Sequence, residues 1–483
     1  MYKKIAAILA GASVMAAAGA ALAAPFEINE FGASAQFTYW QANSALYLGH
    51  LGCTSITGPT TFSYNTAGTG NTVKHGFAQG AGCTSTKIPS TNGGQVIIRF
   101  TGIASGEGPL ALNKKNPIEA DLLNFPTHTD STACSAASGQ RAQMTGSGTT
   151  LGCTSINLGA SDVNVESINQ SVDDSVYTLT GQVKPNFADF IPAPGTTTLK
   201  NQAFEVPFAF YANNNVVAHH CLDASGNWIG QYCRTAADCV NPNGSQFGAG
   251  VTCQATATHI TNVSRLQAVM LFSGQVPTWK WFGDSFGATA TGGPGTSGDL
   301  FTKICHRVPG SGTIATLDKT VMTAGATGWG SPVATLPSND QTFLPYVQFN
   351  KSTGDELNCV AATTQLDVDG TTQTVGAIGY ADCDQAKAGT TQLTYQGVLC
   401  SAANIRNGLY DFYSPAHRYY LNSYYTGTAL NMETDLEAYL SLPTNIPGTE
   451  RNWWTVASEK WYDRGAVTQY PIQVGPPTNP SLP

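Results

Sequence analysis

Residues Arg307-Val308-Pro309-Gly310-Ser311-Gly312-Thr313 form a short run of small residues that begins with an arginine. Phe301 to Arg307, just before the run, has the apolar and alternating character of a strand, and Ile314, Leu317 and Val321 follow it at helical spacing. The pattern therefore predicts a strand, a turn of small residues and a helix. Such a turn builds an anion site in α/β proteins, because free backbone N–H groups and the helix dipole face the ligand and small side chains let it approach.

The same unit of an apolar segment followed by small residues occurs three more times, at Phe26–Phe31 with Gly32–Phe37, at Val96–Phe100 with Ala104–Gly108, and at Ile156–Leu158 with Gly159–Asp162. In open α/β sheets these turns gather at the carboxyl ends of the strands, where ligands bind. Residues 146–149 repeat the tetrapeptide Gly-Ser-Gly-Thr of 310–313 but have neither a strand before them nor a helix after them. We predict that 146–149 is a surface loop.

Two charged residues in these units indicate the ligand. Arg307 can present paired donors to a tetrahedral oxyanion, while hydroxyls and turn amides take the other oxygens. The alternative is a surface arginine followed by a helix cap. Asp162, when ionised, only accepts hydrogen bonds, so it repels an oxyanion unless the ligand carries a proton. Such a group selects protonated phosphate over fully ionised sulfate, and its alternative role is an Asx turn or a helix cap.

The composition limits the classes of partner. The chain has 483 residues, of which 42% are hydrophobic and only 11% charged, against roughly 25% charged in a typical soluble protein. This much apolar material argues against disorder driven by charge. The 23 basic and 31 acidic residues give a net charge of −8, and no basic cluster is present, so nucleic acid is excluded as the expected partner.

The N-terminus predicts export. Lys3 and Lys4 precede the apolar run Ile5–Ala20, and an Ala-Leu-Ala cleavage signal ends at Ala23. The alternative is an N-terminal membrane anchor, but the run is rich in alanine and ends in small residues. No lipid-carrying cysteine follows, because the first cysteine is Cys53, and no later apolar run is long enough for stable membrane insertion. We expect a periplasmic or secreted protein.

The twelve cysteines are an even number in a chain predicted to be exported, which indicates disulfides that close local loops. Their pairing cannot be read from the sequence. Zinc is the competing use, but no paired C-x-x-C motif is present. We expect neither a metal nor a cofactor.

Taken in order, these blocks resemble the phosphate-specific periplasmic binding proteins of ABC importers, in the type-II periplasmic-binding-protein superfamily. The further matching segments are Pro207–Tyr211, Leu271–Gln275 with Trp279, Gly376–Tyr380, and Asn404–Tyr410. The resemblance implies two α/β lobes with a cleft between them. It also implies a set of ligand-binding residues: Gln36, Phe37, Ser105, Asp162, Arg307, Ser311, Gly312 and Thr313.

Two positions depart from the family pattern. Gln36 stands where the family has a threonine, and Pro309 stands where it has an acidic residue beside the binding arginine. The predicted organisation is a signal peptide at 1–23, a discontinuous lobe 1 at 24–208 and 398–483 with an insertion at about 110–155, and lobe 2 at 209–397 with an insertion at about 218–256.

The expected function is capture of inorganic phosphate or a related oxyanion in the cleft, without catalysis, for delivery to an ABC importer permease. A phosphatase-like enzyme and a secreted adhesion protein on the same scaffold are the alternatives. Gly283–Gly287 satisfies the nucleophile motif G-x-S-x-G but is followed by a loop sequence instead of a helix. The pairs His219-His220 and His128 with Asp130 are too short to define a metal site, and His306 is expected to pack on the strand face opposite Arg307.

Overall fold

The computed structural model describes residues 23–65, 72–123, 133–168, 182–192, 195–200, 203–241, 243–245, 247–282, 286–287, 300–322, 345–367 and 369–460. The predicted signal peptide before Ala23 lies outside these residues, as do His128, Asp130 and the Ser285 of the G-x-S-x-G motif. Within the described ranges, no helix has the length and apolar character needed to cross a membrane.

The strands are numbered in chain order. Those before residue 203 are β1 (Phe26–Gly32), β2 (Ser55–Asn65), β3 (Thr72–Ala81), β4 (Val96–Gly102), β5 (Gln140–Met144), β6 (Leu151–Ser155), β7 (Leu158–Ser161) and β8 (Thr197–Lys200). Those from 203 to 300 are β9 (Glu205–Asn213), β10 (Val217–Ala218), β11 (His220–Leu222), β12 (Trp228–Tyr232), β13 (Thr252–Cys253), β14 (Thr258–His259), β15 (Asn262–Val263) and β16 (Phe286–Gly287). The last are β17 (Phe301–Arg307), β18 (Tyr346–Asn350), β19 (Thr364–Leu366), β20 (Thr372–Asp382), β21 (Thr390–Tyr395), β22 (Tyr413–Pro415) and β23 (His417–Leu421).

The α-helices are α1 (Ser34–His50), α2 (Glu107–Leu112), α3 (Arg265–Phe272), α4 (Gly312–Thr316), α5 (Thr353–Ala361), α6 (Ala402–Arg406) and α7 (Ala429–Leu440). A π-helical segment, Leu317–Met322, continues α4. Short 3₁₀ turns occupy Ser90–Asn92, Ala120–Leu122, Ala136–Ser138, Val165–Ile168, Phe187–Asp189, Ala236–Asp238, Trp279–Phe282, Pro443–Asn445 and Ala457–Glu459.

Two large sheets organise the chain. The first has the order β2-β3-β4-β1-β7-β23-β8, and the second has the order β15-β21-β9-β20-β17-β18, with β19 on β20 and β22 on β9. In each sheet, three parallel strands are arranged second, first, third along the chain (β4-β1-β7 and β18-β17-β20), and an antiparallel strand follows. This is the doubly wound arrangement, in which ligands bind at the carboxyl ends of the strands. The predicted fold class, two α/β lobes, is confirmed.

The antiparallel strands tie the two halves together. In the second sheet, β9 pairs with β20 and β21, and its first residues pair with β22. The chain then re-enters the first sheet as β23, which lies between β7 and β8. We therefore propose that the return to lobe 1 takes place near Ala416, later in the chain than the predicted limit at 397.

Close packing explains why the third small-residue unit differs from the expected strand and loop. Gly159 and Ala160 belong to β7 itself. A Cβ on Gly159 would lie 2.8 Å from Leu112 Cδ1 and 3.0 Å from the backbone carbon of Gly108, both in α2. The small residues here let a helix approach the strand, and only Asp162 begins the loop.

The core beneath the first sheet holds a buried ion pair. Arg418 Nε donates to Glu30 Oε2 at 3.1 Å, and both side chains are almost fully buried. The guanidinium carbon lies 5.8 Å from the ring centre of Tyr39 and 5.9 Å from that of Phe204, where an arginine interacts favourably with aromatic rings.

Both predicted insertions carry disulfides. In the first, Cys134–Cys153 joins the β5-β6 hairpin to the segment before it, and residues 146–149 form the mostly exposed turn of that hairpin, as predicted. In the second, Cys221–Cys239 and Cys233–Cys253 hold the small sheet β12-β11-β13. The remaining pairs are Cys53–Cys83, Cys305–Cys359 and Cys383–Cys400, so all twelve cysteines are oxidised. The sulfurs of Cys221, Cys233 and Cys239 lie close together but are bound in disulfides, so they are not thiolate ligands for zinc.

Candidate functional site

The carboxyl ends of strands from both sheets meet at one very small cavity of about 10 Å³. The first sheet contributes the segments after β1, β4 and β7, and the second contributes the ends of β17 and β20 and the start of α5. The lining residues are Ser34, Ala35, Ile103, Ala104, Ser105, Asp162, Arg307, Ser311, Gly312, Thr313, Thr353 and Asp382. A wider cleft of about 300 Å³ shares six of these residues and leads outward past Lys74, Asp384 and Trp454.

Arg307 is held firmly in this cavity. Its Nη1 donates to Thr353 Oγ1 at 3.1 Å and lies 3.5 Å from Thr313 Oγ1, and its Nη2 donates to the Lys351 carbonyl at 3.0 Å. Only 5% of the residue is exposed. A guanidinium fixed in this way is oriented before the ligand arrives, which reduces the entropy lost on binding.

Glu356 places a buried carboxyl beside Arg307, although the position that is acidic in the sequence pattern, 309, is a proline here. Glu356 Oε2 lies 4.0 Å from Arg307 Nε, and Oε1 accepts a hydrogen bond from the Tyr380 backbone at 3.1 Å. Burial raises the pKa of Glu356 well above its usual value, and the nearby Arg307 lowers it only in part. The partner of the arginine therefore comes from helix α5, 49 positions along the chain.

Ser105 and Asp162 form a connected pair on the wall from lobe 1. Ser105 Oγ donates to Asp162 Oδ2 at 3.1 Å and accepts from the Asp162 backbone N–H at 3.2 Å. Asp162 Oδ1 is buried and has no hydrogen-bond partner among the described residues. Burial raises the pKa of Asp162 to about 6, against the lowering effects of Ser105 and then of Arg307. The carboxyl is thus largely ionised at pH 7 and keeps one free oxygen to accept a proton.

The two lobes touch each other through glycines at the cavity. The Gly106 N–H donates to the Gly310 carbonyl at 3.1 Å. Gly310 has φ +87°, the left-handed region that favours glycine, and a Cβ there would lie 2.4 Å from Ile118 Cδ1. A Cβ on Gly312 would lie 2.3 Å from Ser105 Oγ and 3.0 Å from Asp162 Cβ. The small residues of 310–313 are therefore required where lobe 2 meets lobe 1.

Ser311 and Thr313 lie at the start of helix α4. The Ser311 side chain is the N-cap and accepts a hydrogen bond from the Thr313 backbone at 3.2 Å, so the helix cap that was the alternative interpretation is present at this position. Both side chains line the cavity, and both residues are almost fully buried. Their hydroxyls are therefore available to an anion beside Arg307.

Gln36 and Phe37 do not line the cavity. They lie in the first turn of α1, where Gln36 donates to the carbonyls of Ser161 at 3.2 Å and His417 at 3.0 Å, and so joins α1 to the end of β7 and the start of β23. Phe37 packs against Phe100, with ring centres 5.3 Å apart. In this geometry the start of α1 presents Ser34 and Ala35 to the cavity instead.

Ser34, Thr353 and Asp382 also line the cavity, although the sequence patterns did not predict them as site residues. Thr353 follows the N-cap Ser352, whose side chain accepts from the Asp355 backbone, and the sequence Ser-Thr-Gly-Asp carries a helix-start signal that could have found this turn. Asp382 ends the long strand β20 and is followed directly by Cys383, so no run of small residues marks it.

Two histidines considered in the sequence analysis, His306 and His219, contact polar groups of the surrounding protein. His306 is buried, its Nδ1 lies 3.2 Å from the Tyr380 hydroxyl, and burial lowers its pKa to about 3, which confirms the expected packing role. His219 Nδ1 lies 2.8 Å from the Gln254 carbonyl.

Asp223 Oδ1 accepts from the backbones of Ser225 and Asn227, the pattern of an Asx turn.

No family model and no curated protein matches the chain. Among solved structures, it is similar to an ABC-type phosphate transport receptor from Vibrio cholerae (11% identity, 85% of this chain and 93% of that one, TM-score 0.36). It is also similar to a putative phosphate ABC transporter substrate-binding protein with bound phosphate from Clostridium perfringens (10% identity, 87% and 94%, TM-score 0.37). A third is PstS from Borrelia burgdorferi (12% identity, 58% and 72%, TM-score 0.27).

Proposed function

We propose that this chain is an exported solute-binding protein that captures inorganic phosphate, or a closely related oxyanion, between its two lobes. The observation that carries the proposal is the meeting of Arg307, from the second sheet, with Ser105 and Asp162, from the first, at one cavity. One fixed cation, several hydroxyls and one carboxylate with a free oxygen suit a tetrahedral anion that carries a proton.

The proposal also covers selectivity and delivery. Sulfate, which is fully ionised at neutral pH, has no proton to give to Asp162, so its binding would place two negative charges together. The N-terminal basic and apolar segment supports export, and the family resemblance supports an ABC importer permease as the receiving partner. We propose binding without turnover.

Calorimetry on the mature protein tests this function. We expect phosphate to bind at pH 7 and sulfate to bind at least 100-fold more weakly. Arg307→Ala should abolish phosphate binding, and Arg307→Lys should weaken it, because an ammonium group cannot present the paired donors of the guanidinium. Arg451→Ala is the matched control, since this exposed arginine also donates to backbone carbonyls but lies outside the cavity. Equal affinity for the two anions, or no heat with phosphate, would contradict the proposal.

A further inference from the structure

Asp382 places a second carboxyl group in the anion cavity. It is the last residue of β20, the strand that lies between β17 and β9 in the second sheet, and it lines both the inner cavity and the wider cleft. Asp162 lines the same cavity from the first sheet. The two carboxyl groups thus belong to opposite lobes and face a common space.

The charged groups around Asp382 come from several elements. Asp384 and Asp162 disfavour its ionised form, while Arg307 and Lys74 favour it. Glu356, on α5, is a further carboxyl close enough to interact with it. Among the described residues none donates a hydrogen bond to the Asp382 carboxyl, although its backbone carbonyl accepts from the Tyr211 hydroxyl. The carboxyl is therefore available to a ligand.

The two aspartates differ in protonation. Asp382 is only half-buried, but desolvation by the surrounding protein, and next the charge of Asp384, raise its pKa to about 8, whereas burial raises the pKa of the buried Asp162 to about 6. At pH 7 Asp382 carries its proton and can donate, and Asp162 is ionised and can accept. Carboxyl pairs whose surroundings separate them in this way take opposite roles in proton transfer and hydrogen bonding.

We propose that Asp382 is a second ligand-binding carboxyl, which donates its proton to an oxygen of the bound oxyanion and releases the anion when it ionises. The proposal rests on the proposed function and adds a donor that the family resemblance does not assign. With Asp382 protonated, the cavity holds the cation Arg307, the acceptor Asp162 and a neutral donor. With Asp382 ionised, a second carboxylate faces the anion and repels it.

The consequence is an affinity that falls in alkaline solution. Phosphate gives up its second proton near neutral pH, so above pH 8 its own charge stays constant and the remaining change belongs to the protein. Because the complex keeps a proton that the free protein loses above its pKa, binding weakens by up to about tenfold for each pH unit above that pKa. We expect the affinity for phosphate to fall about tenfold between pH 8.5 and pH 9.5.

Phosphate titrations between pH 7 and pH 9.5 with two variants test the role of Asp382. Asp382→Asn keeps a donor that does not ionise, so its affinity for phosphate should change less than twofold between pH 8 and pH 9.5, whatever its affinity at pH 7. Asp384→Asn removes a negative neighbour and should lower the pKa of Asp382, so its affinity should fall at a lower pH than in wild type. A role limited to structure would not move the profile with the charge at 384.

The outcomes separate this inference from the proposed function. If wild type binds no phosphate at pH 7, the proposed function fails and this inference with it. If wild type binds phosphate but its affinity is constant up to pH 9.5, or falls equally in Asp382→Asn, the function stands and the role of Asp382 is refuted. If Asp382→Asn does not bind at pH 7, the Asp384→Asn profile decides: a shift supports the role of Asp382, and an unchanged profile refutes it.

Discussion

Replacing Gly312 with alanine adds one methyl group at the point where the two lobes meet. The new Cβ would lie 2.3 Å from Ser105 Oγ, 3.1 Å from Ser105 Cβ and 3.0 Å from Asp162 Cβ. The lobe 2 backbone accepts alanine readily, because Gly312 begins helix α4 with an ordinary φ and alanine forms helices better than glycine. The variant should therefore fold normally and oppose the approach of the lobes.

The expected loss of phosphate affinity follows from the displacement of the Ser105 side chain by the new methyl group. If the Ser105 hydroxyl rotates away, both of its hydrogen bonds to Asp162 break, and one of them is made to a carboxylate. Hydrogen bonds to charged groups contribute about 1.5–3 kcal/mol each. A loss of about 2–3 kcal/mol in the closed complex corresponds to a dissociation constant for phosphate that is about 30- to 150-fold larger.

Isothermal titration calorimetry with phosphate measures this change, and Gly354→Ala is the matched control. Gly354 also lies in the first turn of a helix at the cleft, but a Cβ there meets nothing closer than Ser352 Oγ at 3.7 Å. We expect its affinity to stay within twofold of wild type. Unchanged binding by Gly312→Ala, or an equal loss in Gly354→Ala, would refute the assignment of Gly312 to a tight contact between lobes.

Three other measurements follow from the structure. Arg418→Met leaves Glu30 buried without its partner, so chemical denaturation should show a loss of about 3–5 kcal/mol, and adding Glu30→Gln should recover part of it; no recovery would contradict the ion-pair account. Removing Cys305–Cys359 by paired alanine substitutions should cost about 4 kcal/mol, and removing Cys383–Cys400 about 3 kcal/mol, because the first closes 54 positions and the second 17; the reverse order in the same assay would argue against an effect of loop length. Desolvation raises the pKa of Asp382 to about 8 and that of Asp162 to about 6, so the folded protein retains protons that an unfolded chain releases from about pH 4 upward. The thermal midpoint should therefore fall as the pH rises from about 4 to 8. Asp382→Asn should flatten the upper part of that slope.

The parts of the site that the sequence predicted are those with a strong local signal. Arg307, Ser311 and Thr313 lie within one strand, turn and helix, and the small residues between them are required by contacts with lobe 1. The pairing of β23 with β7 in the first sheet depends on contacts distant in sequence, which local patterns do not contain.

For Gln36 and Asp382, whether the residue lines the cavity depends on the direction of its side chain, which the sequence pattern does not give. Gln36 lies one residue beyond Ala35, yet it turns towards β7 and β23, because successive positions on a helix face different sides. Asp382 lies at the end of a strand with no glycine-rich turn after it, and only the neighbouring strands bring it to the cavity. The position of such a residue in the cavity follows from the order of the strands in the sheet, not from the residues next to it in the sequence.

The antiparallel strand β23 has a consequence for how this protein reaches its native state. The edge strand β8 pairs with β23, and β23 in turn pairs with β7, so the first sheet is completed only by residues near 420. A chain that is synthesised from its N-terminus must hold β7 with an unpaired edge until all of the second lobe has been made. Exposed edges of this kind favour aggregation, and contacts between such distant residues slow folding. We therefore expect C-terminal truncation before His417 to leave lobe 1 unable to fold alone, and efficient production of the protein to depend on chaperones.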